Sequence, residues 1–575
     1  MNIPFIPEDA PFSGDQRVWL SGFITGLRSR AVLVAVPAET GPATVLNILY
    51  GSQTGNAEAV TEAAVRTAQG MGFDARAQAL DDVSMEALAA MRRIIVVCST
   101  YGEGEMPDNA QLFWEALAAP TAPRLESAQF GVLALGDTGY DGFCQAGKLI
   151  DLRLEQLGAR RLTPRIDCDV DYDEPAAAWV AATLPLASEK GAATVQAPAA
   201  TAPAKTGWSR KNPYPAALAT NRLLSGARSA KEIRHFEFEL GDSGLAYEAG
   251  DALGVIPVND PLLVEAVLAR LGAGPETAVA GTDRPLGTLL MEACEISTPP
   301  RELIAAVEAR AGDEELSRLL GDGDREALAT WLWGRDTLDL LRLLPAGALD
   351  AEAFVGLLKP LQHRAYSISS SPKAHPGEVH LTVAAVRYAA GGRERGGVCS
   401  TFLAERAAGG AGIFVSPNKS FRVPTDDAAP MIMVGPGTGI APFRAFLEER
   451  RARGAAGRNW LFFGDQHRET DFIYDDELGE MSASGLLTRL DLAFSRDQDE
   501  KVYVQTRMRE NGKALHAWLE EGGHFYVCGD ASRMARDVDQ ALHEIIATHG
   551  AMSPEAATEH VNGLKREKRY LRDVY

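Results

Sequence analysis

Three short apolar runs recur between Thr44 and Gly136: TVLNILYG (44–51), RRIIVVC (92–98) and FGVLALG (130–136), with helix-periodic stretches between them. Runs of this length, without apolar/polar alternation, predict strands buried on both faces. Their alternation with helices predicts an open parallel sheet. From about Trp208 the pattern changes to brief β-runs such as EIRHFEFEL (232–240), ALGVIPV (252–258) and HLTVAAVRY (380–388). They are interrupted by a Leu-, Ala- and Glu-rich helical stretch over about 261–344. A second strand–turn–helix pattern begins at MIMVGPGTGIAPFRAFL (431–447) and continues through WLFFG (460–464) and HFYVCG (524–529). Ahead of all this, Trp19, Phe23, Ile24 and Leu27 fall at helical spacing. Residues 15–28 therefore predict a short amphipathic helix, either packed on its own unit or used in self-association.

These patterns divide the 575 residues into five parts. They are an N-terminal segment 1–42, an α/β unit 43–186, a linker 187–207, a β-rich unit 208–428 with its helical insertion, and a second α/β unit 429–575. The linker is poor in large apolar residues and rich in Ala, Pro and Thr, a composition that permits relative motion of what it joins.

Chemistry concentrates where strands end. SQTGNAE (52–58) is a hydroxyl-rich turn before a helix, so N–H groups, hydroxyls and the positive end of a helix dipole converge as they do on a phosphate. No P-loop lysine follows it. STYGEGEMPDNA (99–110) and DTGYDGFCQAGK (137–148) follow the next two strands, each with glycines and a tyrosine. One phosphate loop and two aromatic loops at one sheet edge suit a planar phosphorylated ligand. In HRAYSISS (363–370), Tyr366 offers a ring face, Arg364 a fixed cation and Ser367 a small hydroxyl, a set that suits a flavin. RGGVCSTFL (395–403) repeats the phosphate-loop logic. VGPGTG (434–439) lets backbone approach a pyrophosphate, though Pro436 departs from the dinucleotide GxGxxG pattern. Ser495, Arg496 and Lys501 bring a hydroxyl and two cations together, as a ribose 2′-phosphate requires.

Composition narrows the partners. Six scattered cysteines without CxxC or Cys/His spacing argue against metal and disulfide sites and fit a reducing compartment. A formal charge of −21 disfavours nucleic acid and anionic membranes and is compatible with a basic protein partner. DCDVDYDE (167–174) places five acids in eight residues, as a solvated loop or as a docking edge for such a partner. There is no apolar span of membrane length and no leader-like N-terminus, so the expected location is the cytoplasm.

SQTGNAE, STYGEGE and LGDTGYDGFC together resemble the three FMN loops of the diflavin reductase family. The resemblance extends through YEAGDALGV, the Arg-x-Tyr-Ser motif, SRDQDEKVYVQ and YxCGD to the terminal RDVY. It implies a multidomain α/β architecture: a flavodoxin-like FMN domain, a ferredoxin–NADP reductase-like FAD β-barrel with a helical connecting insertion, and a Rossmann-like NADP domain. FMN would be held by Ser52, Gln53, Thr54, Gly55, Asn56 and Ala57 at its phosphate. Around its ring would stand Ser99, Thr100, Tyr101 and Gly102, and Leu135, Gly136, Asp137, Thr138, Gly139, Tyr140, Asp141, Gly142, Phe143 and Cys144. FAD would lie on Arg364, Ala365, Tyr366 and Ser367, on Thr382, Val383, Ala384 and Tyr388, and on Gly397, Val398, Cys399 and Ser400, with Tyr575 over its ring. NADPH would use Gly437, Thr438, Ser495, Arg496, Lys501, Val502, Tyr503, Val504, Gln505 and Asp537. Ser367, Cys528 and Asp573 would surround the carbon that transfers hydride, and Tyr575 would gate it. No metal site is implied. The expected activity is that of an NADPH-dependent diflavin oxidoreductase feeding a separate sirohaem/iron–sulfur subunit that reduces sulfite. The alternatives are another haem acceptor or a non-catalytic flavin-binding docking scaffold.

Overall fold

The structure, a computed structural model, describes residues 44–102, 104–138, 140, 142–188 and 207–575. The expected N-terminal helix and self-association element, most of the linker, and the site candidates Gly139 and Asp141 lie outside the described residues.

The first α/β unit is a sheet of β1 (Val45–Gly51), β2 (Asp74–Ala79), β3 (Arg93–Ser99), β4 (Gln129–Leu135), β5 (Arg160–Arg161) and β6 (Ile166–Cys168). Its order is β2-β1-β3-β4-β5, with β6 also on β4, and every pair is parallel. The continuous apolar runs sit in the centre because helices cover both faces. Ile94, Val96 and Cys98 pack into one core and Ile95 and Val97 into the other. The loops after β1, β3 and β4 therefore emerge side by side at the carboxyl edge, where open α/β sheets bind ligands.

The middle unit is antiparallel. It contains β7 (Tyr214–Ala216), β8 (Leu218–Leu223), β9 (Glu232–Glu239), β10 (Ala252–Ile256), β11 (Arg364–Ser367), β12 (Glu378–Ala385), β13 (Arg387–Ala390), β14 (Arg393–Gly396) and β15 (Ala411–Ser416). The expected barrel takes an open form among the described residues. A four-stranded sheet β11-β10-β15-β7 faces a three-stranded sheet β12-β9-β8, and an isolated bridge links them at Ile368 and Leu381. Phe236, Phe238, Leu253, Val255 and Ile413 fill the space between the sheets. The hairpin β13-β14 stands apart, tied to the insertion by Arg393 and Arg395 on Asp336 and Asp339. The insertion itself is helical from Pro261 through Leu343. A further helix, Ala351–Gly356, extends it and buries Phe354 in the same core.

The terminal unit is a parallel sheet, β18-β17-β16-β19-β20, made from β16 (Met431–Val434), β17 (Asn459–Asp465), β18 (Arg489–Phe494), β19 (His524–Gly529) and β20 (Tyr570–Val574). Its edge strand is the C-terminus, and register places Asp573 opposite Cys528. Among the described residues no helix is long and apolar enough to cross a membrane.

A polar seam joins the middle and terminal units. Tyr474, held at φ 59°, puts its hydroxyl 2.8 Å from His235 Nδ1 and 2.7 Å from Thr382 Oγ1. Burial, helped by the Arg444 guanidinium and His380, pushes the His235 imidazole down to about 3. Burial likewise pushes His524 down to about 4. A histidine depressed in the fold stabilises it fully above the unfolded value near 6.5, and that stability is lost as pH falls. We expect the thermal midpoint to drop between pH 7 and pH 5, with a shallower slope in His235→Gln. An equal slope in the variant would remove His235 from this account.

Candidate active site

Around the carboxyl edge of the first sheet, the expected phosphate loop has the necessary shape. Gly55 caps the helix Asn56–Gly70 with φ 84°, a left-handed turn that leaves the first-turn N–H groups facing outward. The Ser52 hydroxyl is buried and has no partner among the described residues, so it is poised to meet a phosphate oxygen. The Ser52 N–H donates to Asn109 Oδ1 at 2.7 Å. Gln53 exchanges hydrogen bonds with Asp108: Nε2 to Oδ2 at 3.3 Å, and Oε1 from the Asp108 N–H at 2.9 Å. Thr54 presents its carbonyl to Ser416 of the middle unit at 3.3 Å. Asn56 and Ala57 lie in the first helical turn.

The two ring loops are pinned to each other. Thr100 N–H donates to Leu135 O at 2.9 Å, and Thr100 Oγ1 accepts from Ala146 N–H at 3.2 Å. Ser99 Oγ donates to Gly51 O at 3.3 Å. Gly136 N–H donates to Cys168 O, and Cys144 adopts φ 56° at the start of the helix Gln145–Gln156. That strained cap marks a turn shaped for something other than local stability. Tyr140 is 51% exposed, whereas Tyr101 donates its hydroxyl to Val574 O in the terminal strand at 2.9 Å. Gly102 (φ 54°), Gly142 and Phe143 complete the loops.

The unit is docked on the rest of the chain by charge. Lys419 contacts Glu58 and Glu62 at 2.9 and 2.6 Å. Lys359 reaches Asp137 at 3.5 Å, Asp169 at 3.6 Å and the Thr138 hydroxyl. Arg210 and Lys211 meet Asp173. Two acids of the run 167–174, Asp169 and Asp173, thus meet basic residues of the same chain.

In the middle unit β11 presents Arg364, Ala365, Tyr366 and Ser367 along β10. The half-exposed Arg364 guanidinium lies 3.9 Å from the Glu295 carboxylate and donates to the Gln362 and His363 carbonyls at 3.3 and 3.2 Å, so its remaining N–H groups are what it can offer a phosphate. Tyr366 is half-buried, and burial raises its hydroxyl above the ordinary range. Gly397 starts a helical turn that includes Val398, Cys399 and Ser400, with Ser400 Oγ accepting from Val386 N–H at 3.1 Å. Tyr388 is exposed and faces Trp333, ring centroids 5.6 Å apart. Thr382 and Val383 are buried, and the Thr382 hydroxyl is committed to Tyr474. That leaves Ala384 and backbone as what this stretch can offer a ligand.

The middle and terminal units together supply the reactive cluster. Ser367 Oγ donates to Asp573 Oδ2 at 2.6 Å, and Cys528 Sγ stands 3.9 Å from the same oxygen. Burial raises the Asp573 carboxyl, opposed by the Ser367 hydrogen bond, and raises the Cys528 thiol well above its ordinary range. Cys528 is therefore a neutral thiol. Tyr575 closes the group with its hydroxyl 2.9 Å from Thr438 Oγ1 and its N–H on Gly529 O, the residue as a whole being 61% exposed. A Cβ at Gly439 would lie 2.2 Å from Cys528 O, so only glycine lets the turn at Gly437 and Thr438 close against that strand.

Farther out, Ser495 and Arg496 are anchored by backbone N–H bonds to Asp465 O and Gln466 O, both 2.9 Å. Arg496 and Lys501 form no ion pair among the described residues and are exposed, as cations reserved for an anion would be. Val502 and Tyr503 lead into the helix Val504–Glu510, and Gln505 Nε2 donates to Asp537 Oδ2 at 3.0 Å. Sequence reasoning did not foresee Tyr474 in the seam, nor Asp108 and Arg572 beside the site. Asp108 and Arg572 lie inside quoted motifs, but nothing local marks them, because they pair with each other across units, as Tyr474 does with His235 and Thr382.

The loops at the first sheet's edge, the Arg364–Ser367 strand and the Ser367–Cys528–Asp573 cluster form the arrangement expected of a two-flavin, nicotinamide-dependent oxidoreductase. The chain matches the family models Flavodoxin over residues 48–179, FAD binding domain over 207–402 and Oxidoreductase NAD-binding domain over 433–540. It is 44% identical over 602 residues to the sulfite reductase [NADPH] flavoprotein alpha-component of Bacillus subtilis, covering 100% of this chain and 99% of that protein. The alpha-components of Vibrio cholerae and Klebsiella pneumoniae are 43% and 42% identical, covering 98% of this chain and 94% and 96% of theirs. The chain belongs to the sulfite reductase [NADPH] flavoprotein alpha-component family, and is an NADPH-dependent diflavin oxidoreductase.

Proposed function

We propose that the chain takes hydride from NADPH onto FAD and passes electrons singly through FMN to a sirohaem/iron–sulfur hemoprotein subunit that reduces sulfite to sulfide. The observation that carries this reading is the Ser367–Asp573–Cys528 cluster, assembled from two units beneath Tyr575. The geometry supports the following residue roles. Ser52 to Ala57 cradle the FMN phosphate, while the loops at 99–102 and 135–144 flank its ring. Arg364, Tyr366 and the turn at 397–400 hold FAD, with Ala384 and the backbone of 382–384 beside it. Gly437, Thr438, Ser495 to Gln505 and Asp537 hold NADPH. The bound flavins supply two-electron acceptance and one-electron release.

Within that frame Ser367 donates its proton to Asp573 Oδ2 and fixes the orientation of the carboxyl group, which would stand beside the reacting carbon of bound NADPH. Cys528 stands beside the same Asp573 oxygen as an uncharged thiol. Tyr575 is tethered through its backbone to Gly529 and Ala531, so its ring can swing while its Cα stays fixed. Removing the ring takes away the competitor for the nicotinamide position. We expect Tyr575→Ala to raise kcat/KM for NADH relative to NADPH by about tenfold. Unchanged coenzyme preference in steady-state assays would count against the gate.

The setting is the cytoplasm, and the N-terminal segment 1–42 is the proposed self-association element. One experiment tests the whole reading. Purified chain should carry both FAD and FMN, reduce cytochrome c with NADPH, and yield sulfide when reconstituted with a sirohaem/iron–sulfur subunit. Flavin loading and cytochrome c reduction without sulfide would point to another haem acceptor. Flavins without NADPH oxidation would leave a docking scaffold.

A further inference from the structure

The last four residues touch every unit of the molecule. Among the described residues strand β20 pairs on one side only, with β19, and its other edge meets the flavodoxin-like unit. There the Arg572 guanidinium pairs with Asp108, Nε to Oδ2 at 3.3 Å and a second nitrogen on Oδ1, with both side chains about three-quarters buried. The free edge carbonyl of Val574 accepts from Tyr101. Asp108 is in turn bonded to Gln53 of the phosphate loop. Side chains alternate along a strand, so Asp573 points away from Arg572, into the cluster with Ser367 and Cys528. Tyr575 follows immediately.

We infer that Arg572 is a positioning residue through which docking of the flavodoxin-like unit sets the hydride site. Asp108 and Tyr101 clamp the outer edge of β20, and the clamp holds Asp573 and the hinge of Tyr575 in register with Ser367 and Thr438. The site that accepts hydride is then fully ordered when the unit that removes electrons is in place. The alternative is that Arg572 and Asp108 only hold two units together for electron passage between flavins. This inference rests on the proposed hydride transfer from NADPH.

The test is anaerobic stopped-flow reduction of the full-length, flavin-loaded chain by NADPH, with Asp108→Asn, Arg572→Gln and the charge exchange Asp108→Arg/Arg572→Asp. Asp108 lies on another unit, and its side-chain partners are Gln53 and Arg572; it acts on the hydride cluster only at a distance, its charge helping to raise the Asp573 carboxyl. Even so, Asp108→Asn should slow the first flavin-bleaching phase at least about fivefold and shift the NADPH-to-NADH preference. The exchanged pair should recover most of that rate. A normal first phase with only the later, interflavin phase slowed would overturn the inference. So would an exchange that fails to recover while both flavins remain bound. If Asp108→Asn loses FMN through Gln53, Arg572→Gln decides alone, and a normal first phase there overturns the inference. A wild-type chain that NADPH does not bleach would refute the functional reading instead.

Discussion

Asp573→Asn should lower NADPH-driven cytochrome c reduction by about two to three orders of magnitude, with FAD and FMN content unchanged and KM for NADPH within about threefold. Asn fits the space and can still accept from Ser367 Oγ, so packing survives. What it lacks is charge. A carboxylate here offsets the positive charge that grows on a nicotinamide ring as hydride departs. It acts in a buried setting where electrostatic terms are strong, because burial already raises its own pKa. The effect therefore belongs to kcat. A variant with kcat within about fivefold of wild type would show that Asp573 only shapes the site.

The second large effect concerns which coenzyme binds. With Arg496 and Lys501 both changed to Ala, KM for NADPH should rise about 100-fold while KM for NADH changes by less than about twofold. Two charge-assisted contacts to a phosphate contribute about 1.5–3 kcal/mol each, and exposure reduces that to about 2–3 kcal/mol for the pair. Both cations are free of carboxylate partners among the described residues, so nothing in the protein is left unpaired by removing them. Stability should therefore stay the same, which separates a binding effect from a folding one. Equal increases for the two coenzymes would place the 2′-phosphate elsewhere.

The two parallel sheets were legible from the chain because their central strands, such as RIIVVCS and MIMV, are buried on both faces and read as unbroken apolar runs. The phosphate turns were legible because glycine and hydroxyl residues at a strand-to-helix junction are a local signature. Ser52, Gly55, Gly397 and Thr438 could be picked out on that basis. The antiparallel unit was harder. Short strands do not reveal whether pairing closes, and here it leaves two sheets. The acidic run 167–174 reads in the sequence as a solvated loop or a docking edge, and the sequence does not show that two of its acids, Asp169 and Asp173, meet Lys359, Arg210 and Lys211 of the same chain.

By itself, then, the sequence determined the class of each unit, the order of the three, and the loops that can receive phosphate. All of these depend on contacts within a few turns of chain. Only the tertiary structure decided which groups meet at the reactive centre. Ser367 and Asp573 are 206 residues apart and Tyr101 and Val574 are 473 apart. Such pairings depend on sheet register and docking between units, because β20 must add to β19 before Asp573 can face Cys528. No local pattern of apolar and polar residues encodes that step.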